Sequence, residues 1–283
     1  MKTIASVAQM QHAVADLHLA GKRIGFVPTM GALHEGHLSL VKQCKAENDC
    51  CVVSIFVNPT QFNDKRDLSN YPRNLSKDEA MLQSAGCDFV FAPTTDEIYA
   101  DVEIDKPFEF DFNGLDKVME GKFRPNHFNG VVQIVSKLFS IVLPNKAYFG
   151  EKDFQQLAVI KYMTSTMRFD TEIVPCPIVR EPLGLAMSSR NELLSTEERK
   201  IAQNISKVLF ESRNFVNQKS PADIQREVIE QINGIAALQV EYFEIVNGDS
   251  LQSIQNWTDA PYIVGCITVF CGKVRLIDNI RYI

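Results

Sequence analysis

The segment Pro28-Thr29-Met30-Gly31-Ala32-Leu33-His34-Glu35-Gly36-His37 sets two histidines three residues apart, where a short apolar run gives way to helical spacing. At such a helix start the backbone N–H groups and the dipole face an anion, and the imidazoles add neutral or cationic donors beside them. Alone, the pattern reads equally as two surface histidines beside a turn. A second candidate lies far downstream, in Arg180-Glu181-Pro182-Leu183-Gly184-Leu185-Ala186-Met187-Ser188-Ser189-Arg190-Asn191. Its glycine lets the backbone approach a phosphate closely, while serine hydroxyls and a guanidinium supply donors. Together these residue types suit the holding of phosphate groups.

Positioning them requires strands that end where the loops begin. Arg23 to Val27 reads as a short buried strand stopped by Pro28, with a helix following over Gly36 to Lys45. Cys51 to Val57 reads as a second buried strand, broken by Asn58-Pro59 at the end where an α/β sheet usually places its ligand. Ser76-Lys77-Asp78-Glu79 has the capping-box form ahead of a helix running to Gly86, and Asp88 to Phe91 makes a third strand. Phe128 to Val142 and Asp153 to Arg168 are helical, with strands at Ala147 to Phe149 and Glu172 to Val174. The alternation predicts an α/β fold, a Rossmann-like doubly wound parallel sheet with right-handed crossovers. Beyond Arg180, polar-faced helices over Ser195 to Phe215 and Pro221 to Ile232 precede strand-like runs at Val240 to Val246, Tyr262 to Phe270 and Val274 to Ile277. These predict a smaller C-terminal α+β domain. With the boundary between Cys176 and Pro182, the expected domains are residues 1–176, the Rossmann-like unit, and 177–283, a lid carrying the Met-Ser-Ser-Arg loop.

Length and composition limit the function. At 283 residues, 45% hydrophobic and 23% charged, the chain suits one large domain with a smaller companion, and no low-complexity run suggests disorder. A formal charge of −6 disfavours a general nucleic-acid binder, which needs clustered cations against phosphates. Val7, Met10, Val14 and Leu17 share one helix face, unlike the unbroken apolar core of a signal peptide, and nothing else approaches a membrane span. Seven cysteines without a C-x-x-C pair read as reduced thiols of a cytoplasmic protein, small buried hydrophobes without a catalytic role. His12 and His18 are expected on the exposed side of the first helix.

His-x-Gly-His after the first strand and Met-Ser-Ser-Arg after the last together resemble the nucleotidyltransferase superfamily that includes class I aminoacyl-tRNA synthetases, in which both loops bracket one ATP. The resemblance narrows with Phe56-Val57-Asn58-Pro59-Thr60-Gln61-Phe62, Tyr71-Pro72-Arg73, Arg124-Pro125-Asn126-His127-Phe128-Asn129-Gly130-Val131 and Tyr148-Phe149-Gly150-Glu151-Lys152-Asp153-Phe154-Gln155-Gln156-Leu157. From Pro28 to Asn191 these blocks stand in the order of the pantothenate synthetase (pantoate–β-alanine ligase) family. The sequence departs at Thr60, Asn126 and Leu183, where that family more often has Met, Gly and Asp.

The resemblance implies two half-steps: pantoate attacks ATP to give pantoyl adenylate and pyrophosphate, and β-alanine then displaces AMP. It implies Mg²⁺ bridging phosphate oxygens and a homodimer. It places Met30, Gly31, Ala32, Leu33, His34, Glu35, Gly36 and His37 against ATP, with both histidines near the phosphates. Lys152 neutralises phosphate charge with Asp153, Ser188, Ser189 and Arg190, while Gly150, Glu151, Val179 and Met187 complete the nucleotide contacts. The catalytic set is therefore His37, His34, Lys152 and Arg190. Gln61 and Gln156 hold pantoate, since an amide donates and accepts at once. Arg124 and His127 are read either as active-site neighbours or as helix-capping residues. The alternatives are an adenylyltransferase that only transfers AMP, a tRNA synthetase fragment, and a non-catalytic nucleotide sensor. Glu181 to Ile283 carries 10 Lys and Arg against 13 Asp and Glu, a poor surface for RNA.

Overall fold

The computed structural model describes residues 1–63, 65–100 and 108–283. In chain order the described elements are β1 (Lys2–Ile4), α1 (Val7–Leu19), β2 (Ile24–Thr29), α2 (Glu35–Glu47), β3 (Cys50–Ile55), α3 (Lys65–Asn70), α4 (Leu75–Ser84), β4 (Phe89–Phe91), α5 (Thr95–Ile98), α6 (Met119–Phe123), α7 (His127–Val142), β5 (Lys146–Gly150), α8 (Phe154–Thr166), β6 (Glu172–Cys176), α9 (Thr196–Ser212), α10 (Pro221–Asn233), β7 (Leu238–Asn247), β8 (Ile263–Cys271) and β9 (Val274–Arg281). They form two compact units. The first comprises residues 1–116, 121–151 and 156–176; the second comprises 117–120, 152–155 and 177–283.

The first unit is built on a six-stranded sheet of order β1-β4-β3-β2-β5-β6, every pairing parallel. Its inner strands read as unbroken apolar runs because a parallel sheet is covered on both faces; Phe26, Val27, Val52 and Val53 are wholly buried. Strand order reverses between β2 and β5, which pair through Gly25↔Lys146 and Phe26↔Ala147. That reversal is the switch point at which open α/β sheets hold ligands beyond the carboxyl ends of their strands. The loops leaving β2 and β5 begin with Met30 and Glu151.

The second unit packs α9 and α10 on an antiparallel sheet of order β7-β8-β9. Ala202, Ile205 and Leu209 of α9 and Ile224, Val228 and Ile232 of α10 share one core with Phe243, Ile245, Ile267 and Val269. Ser195 caps α9 in a capping box with Glu198. The short segment 117–120 joins this unit through Glu120, whose buried carboxylate receives Arg275 at 2.7 and 2.8 Å, Tyr242 Oη at 2.9 Å and Thr268 Oγ1 at 2.9 Å.

Several local expectations are corrected. Pro28 does not stop β2, which runs to Thr29 and pairs Pro28 with Ser54; the ladder to β5 ends at Phe26, so the missing N–H costs nothing. β6 likewise runs through Pro175, on the sheet edge where proline is tolerated. Ser76 lies inside α4, and Asn74 is the cap, accepting from the Lys77 N–H at 3.1 Å. β1 was too short to show in the pattern, and Lys117–Glu120 and Lys152–Gln155 belong to the second unit although they precede Cys176.

The Gly-to-Asn departure before α7 has a backbone explanation. Asn126 sits at φ 64°, a left-handed conformation that glycine adopts freely and asparagine better than most side chains. Replacing Asn126 by alanine should cost about 1–2 kcal/mol, while Asn126→Gly should stay within about 1 kcal/mol of the parent. Thermal and urea melting of the two variants read the difference; equal losses would remove the backbone argument.

Candidate active site

The corner between β2 and α2 is closed by four acceptors. Thr29 Oγ1 accepts from the Gly31 N–H at 3.1 Å and donates to the Ser54 carbonyl at 2.7 Å. The Asp78 carboxylate, reaching in from α4 and 2% exposed, accepts from Ala32 N–H at 3.0 Å and Leu33 N–H at 2.8 Å. The two histidines close the remainder as a reciprocal cap: His37 Nδ1 accepts from His34 N–H at 3.3 Å, and His34 Nδ1 accepts from Gly36 N–H at 3.1 Å. Their ring centroids are 4.1 Å apart.

This arrangement corrects the expectation that the loop N–H groups face an anion, since those of Gly31 to His34 and of Gly36 are spent within the protein. It supplies donors by another route. A nitrogen that accepts carries no proton, so each neutral imidazole holds its proton on Nε2. The cap thus selects the tautomer in which both half-buried rings are Nε2–H donors.

Beyond β3 a second network orients Gln61, which is 9% exposed. The Gly130 carbonyl can only accept, so the Asn58 atom 3.0 Å from it is Nδ2. The same Nδ2 meets Gln61 at 3.3 Å, which fixes that atom as Oε1 and turns Gln61 Nε2 toward Met30 Sδ at 3.1 Å. Tyr99 Oη donates to Asn58 Oδ1 at 2.6 Å, and burial raises the Tyr99 phenol above its ordinary range, keeping it a donor. His127, at the start of α7, stands 2.8 Å from the Gln61 carbonyl through Nδ1, and Arg124 reaches its Nε2 at 3.3 Å. A side chain at Gly130 would strike the backbone of Thr60 and Gln61, so α7 presses directly on the turn that carries Gln61. Gln156 is on another element, half-buried in the first turn of α8. Gly150 ends β5 opposite Cys176, whose carbonyl receives the Glu151 N–H at 2.8 Å.

In the second unit, the chain from Val179 to Met187 folds back on itself, with the Met187 N–H on the Val179 carbonyl at 2.9 Å. Arg180 locks this turn by a two-pronged contact to Asp278 at 2.7 and 2.8 Å and by the Gly184 carbonyl at 3.0 Å. Gly184 has φ +98°, and a side chain there would meet Ser206. Beneath the loop, Glu181 accepts from Arg199 at 2.8 and 2.9 Å and from Asn191 Nδ2 at 2.9 Å; Arg199 is the main reason its carboxyl lies below the ordinary range. Ser188 accepts from the Arg190 N–H at 3.2 Å. Lys152 and Ser188 line one small cavity of about 10 Å³ with Asn191 and Asp278, while Asp153 is exposed. Leu183 lies on the outer side of the turn, 68% exposed.

The anchors Asp78, Asn58, Glu181 and Asn191 were missed as site-forming residues. Only Asn58, beside a strand-ending proline, carried a usable signal. All seven cysteines are free and buried, and burial pushes the Cys50 and Cys176 thiols up to about 12, which removes them as nucleophiles at neutral pH. His12 and His18 are exposed, His12 beside Asp16 and His18 Nε2 3.1 Å from the Leu143 carbonyl. Among the described residues no group of three or more His, Cys, Asp or Glu is placed to hold a metal ion, and no helix is long and apolar enough to cross a membrane.

Comparison with known proteins agrees along the whole chain. Residues 2–281 match the family model described as pantoate-beta-alanine ligase. The pantothenate synthetase of Bacteroides thetaiotaomicron is 55% identical over 282 residues, covering 100% of this chain and 99% of the relative, and that of Phocaeicola vulgatus is 56% identical over 283 residues with the same coverage. Among solved structures, pantothenate synthetase from Thermus thermophilus superposes with a TM-score of 0.91 at 39% identity, covering 100% and 99% of the two chains. A pantoate-beta-alanine ligase from Francisella tularensis, complexed with beta-gamma ATP and beta-alanine, gives 0.83 at 36% identity, covering 100% and 98%. With residues 2–281 matched and relatives 55% and 56% identical along the whole chain, the chain belongs to the pantoate–β-alanine ligase family.

Proposed function

We propose that this protein condenses (R)-pantoate with β-alanine at the expense of ATP, through pantoyl adenylate, and that His34, His37, Lys152 and Arg190 carry the adenylation. The observation that supports these roles best is the reciprocal histidine cap beyond β2, which holds two Nε2–H donors side by side at the sheet's switch point.

In the first half-step a carboxylate oxygen of pantoate attacks the α-phosphorus of ATP, the bond to the β,γ-phosphates breaks, and pyrophosphate leaves with the electron pair. The protein's contribution is charge stabilisation at a fixed place. His34 and His37 donate Nε2–H to phosphate oxygens as their charge grows, and Lys152 and Arg190 neutralise it with Ser188 and Ser189 as further donors. Met30 to Leu33, Glu35, Gly36, Gly150, Glu151, Asp153, Val179 and Met187 complete the nucleotide contacts. Gln61 offers its Nε2 hydrogens to the acid, and Gln156 holds the other side of it. In the second half-step the neutral amine of β-alanine attacks the acyl carbon and AMP departs. When bound with ATP, Mg²⁺ would be held chiefly by phosphate oxygens and would supply charge neutralisation of the pyrophosphate. The protein acts in the cytoplasm, in keeping with seven free thiols, and as a homodimer.

Side chains that keep one histidine role and drop the other test the mechanism. Asparagine at position 37 keeps an acceptor where Nδ1 stood and removes the Nε2 donor, so His37→Asn should melt near the parent temperature while turnover falls about a hundredfold. Near-normal turnover would remove His37 from catalysis. Lys152→Ala and Arg190→Ala should show similar losses of turnover with little change in melting.

The adenylate itself is read by isotope exchange. With ATP, Mg²⁺ and pantoate but no β-alanine, labelled pyrophosphate should enter ATP, and exchange should vanish without pantoate. Pantoate lacking its hydroxyl should exchange poorly, because buried amide groups would be left unpaired at about 1–3 kcal/mol apiece. Exchange that ignores pantoate would mean that AMP passes to some group other than pantoate, such as a side chain of the protein, and would overturn the reading.

A further inference from the structure

We propose that Asp78 is a positioning residue for the phosphate-binding histidines: its buried carboxylate holds the Gly31-Ala32-Leu33 turn in the one shape that lets His34 begin α2 and the His34–His37 cap close. The inference rests on the roles proposed above for the two histidines and extends them to a side chain from a different helix.

Three observations carry it. Asp78 is 2% exposed yet polar, and the N–H groups it receives belong to consecutive residues 46 and 45 positions away in sequence. A buried carboxylate needs such donors, so carboxylate and turn hold each other in place. Ala32 has φ 51°, a left-handed conformation costly for alanine, and its N–H is one of the two that Asp78 takes. Gly31, at φ +78°, passes so close that an added Cβ would lie 2.9 Å from Asp78 Oδ2 and 3.0 Å from the Ile55 side chain. The next residue after this turn is His34, whose N–H and Nδ1 both belong to the cap. A shift of the turn therefore moves both imidazoles together.

Asparagine in place of Asp78 turns an NH₂ group toward one of the two N–H donors. Asp78→Asn should lower kcat of pantoate-dependent pyrophosphate exchange about tenfold to a hundredfold, the scale of an ångström-level misplacement. KM for ATP should stay within about threefold, because the lost donors act on charge that develops in the transition state. The control is Asp88→Asn, which removes a carboxylate that accepts from the Cys51 N–H at 2.7 Å and pairs with Lys45. It should lower the melting temperature and leave kcat intact. Nitrogen-15 NMR of labelled histidine supplies a readout that a purely structural role would not move: two Nε2–H tautomers in the parent, and loss of that signature at His34 and His37 in Asp78→Asn. Should Asp78→Asn not fold, Asp78→Glu keeps the charge but displaces the carboxylate by one methylene, and is read the same way. Unchanged kcat and unchanged tautomers in either variant, or a kcat loss equal to that of Asp88→Asn, overturns the positioning role. Absence of exchange in the parent would instead overturn the functional reading, and the tautomer signature would still decide for or against Asp78.

Discussion

The first unit is organised around the need to satisfy buried N–H groups where β2 turns into α2. A helix start presents several donors without partners, and here the corner lies against the sheet, where water cannot serve all of them. The solution uses Thr29, a carboxylate from α4, and the two histidines themselves. Much else follows. Position 31 must be glycine, α4 must carry an acid on its inner face, and the imidazoles must take one tautomer. The histidines proposed to meet the nucleotide are thus also the residues that start the helix, so folding and the proposed chemistry share the same hydrogen bonds.

The network around Gln61, proposed to hold the acid, follows the same logic. One carbonyl, that of Gly130, determines the orientation of Asn58, and through it the orientation of the Gln61 amide. Such a chain of obligatory donors and acceptors leaves a single arrangement, as the proposed reading of a hydroxy acid would require. In the second unit, Arg180, Glu181 and Asn191 fasten the loop from Met187 to Arg190 at both ends, so its conformational freedom is confined to a few residues between fixed points.

The sheet was legible in the sequence because parallel strands must be apolar on both faces, and β2, β3 and β4 read as unbroken runs within a residue or two of their true limits. The histidine and serine-rich loops were legible because their spacing resembles that of a known family. What remained hidden depends on partners distant in sequence. Asp78 sits in a pattern that looks like a solvent-facing capping box, and only the fold shows that Asn74 does the capping while Asp78 turns inward. Pro28 looked like a strand end because the pattern does not say which neighbour needs the N–H. No local pattern could say that residues 117–120 and 152–155 lie with the C-terminal sheet.

That last feature bears on how the protein can be inherited and recombined. The C-terminal unit is not a contiguous cassette: its sheet depends on Glu120 to receive Arg275, Tyr242 and Thr268, and Asn279 Nδ2 donates to the Lys152 carbonyl at 3.0 Å. A gene fusion or crossover at residue 177 that did not restore these partners would leave Tyr242 and Thr268 without their buried acceptor and Arg275 with Glu241 alone. The two units are therefore bound to evolve together, as a single hereditary block, although each has a core of its own.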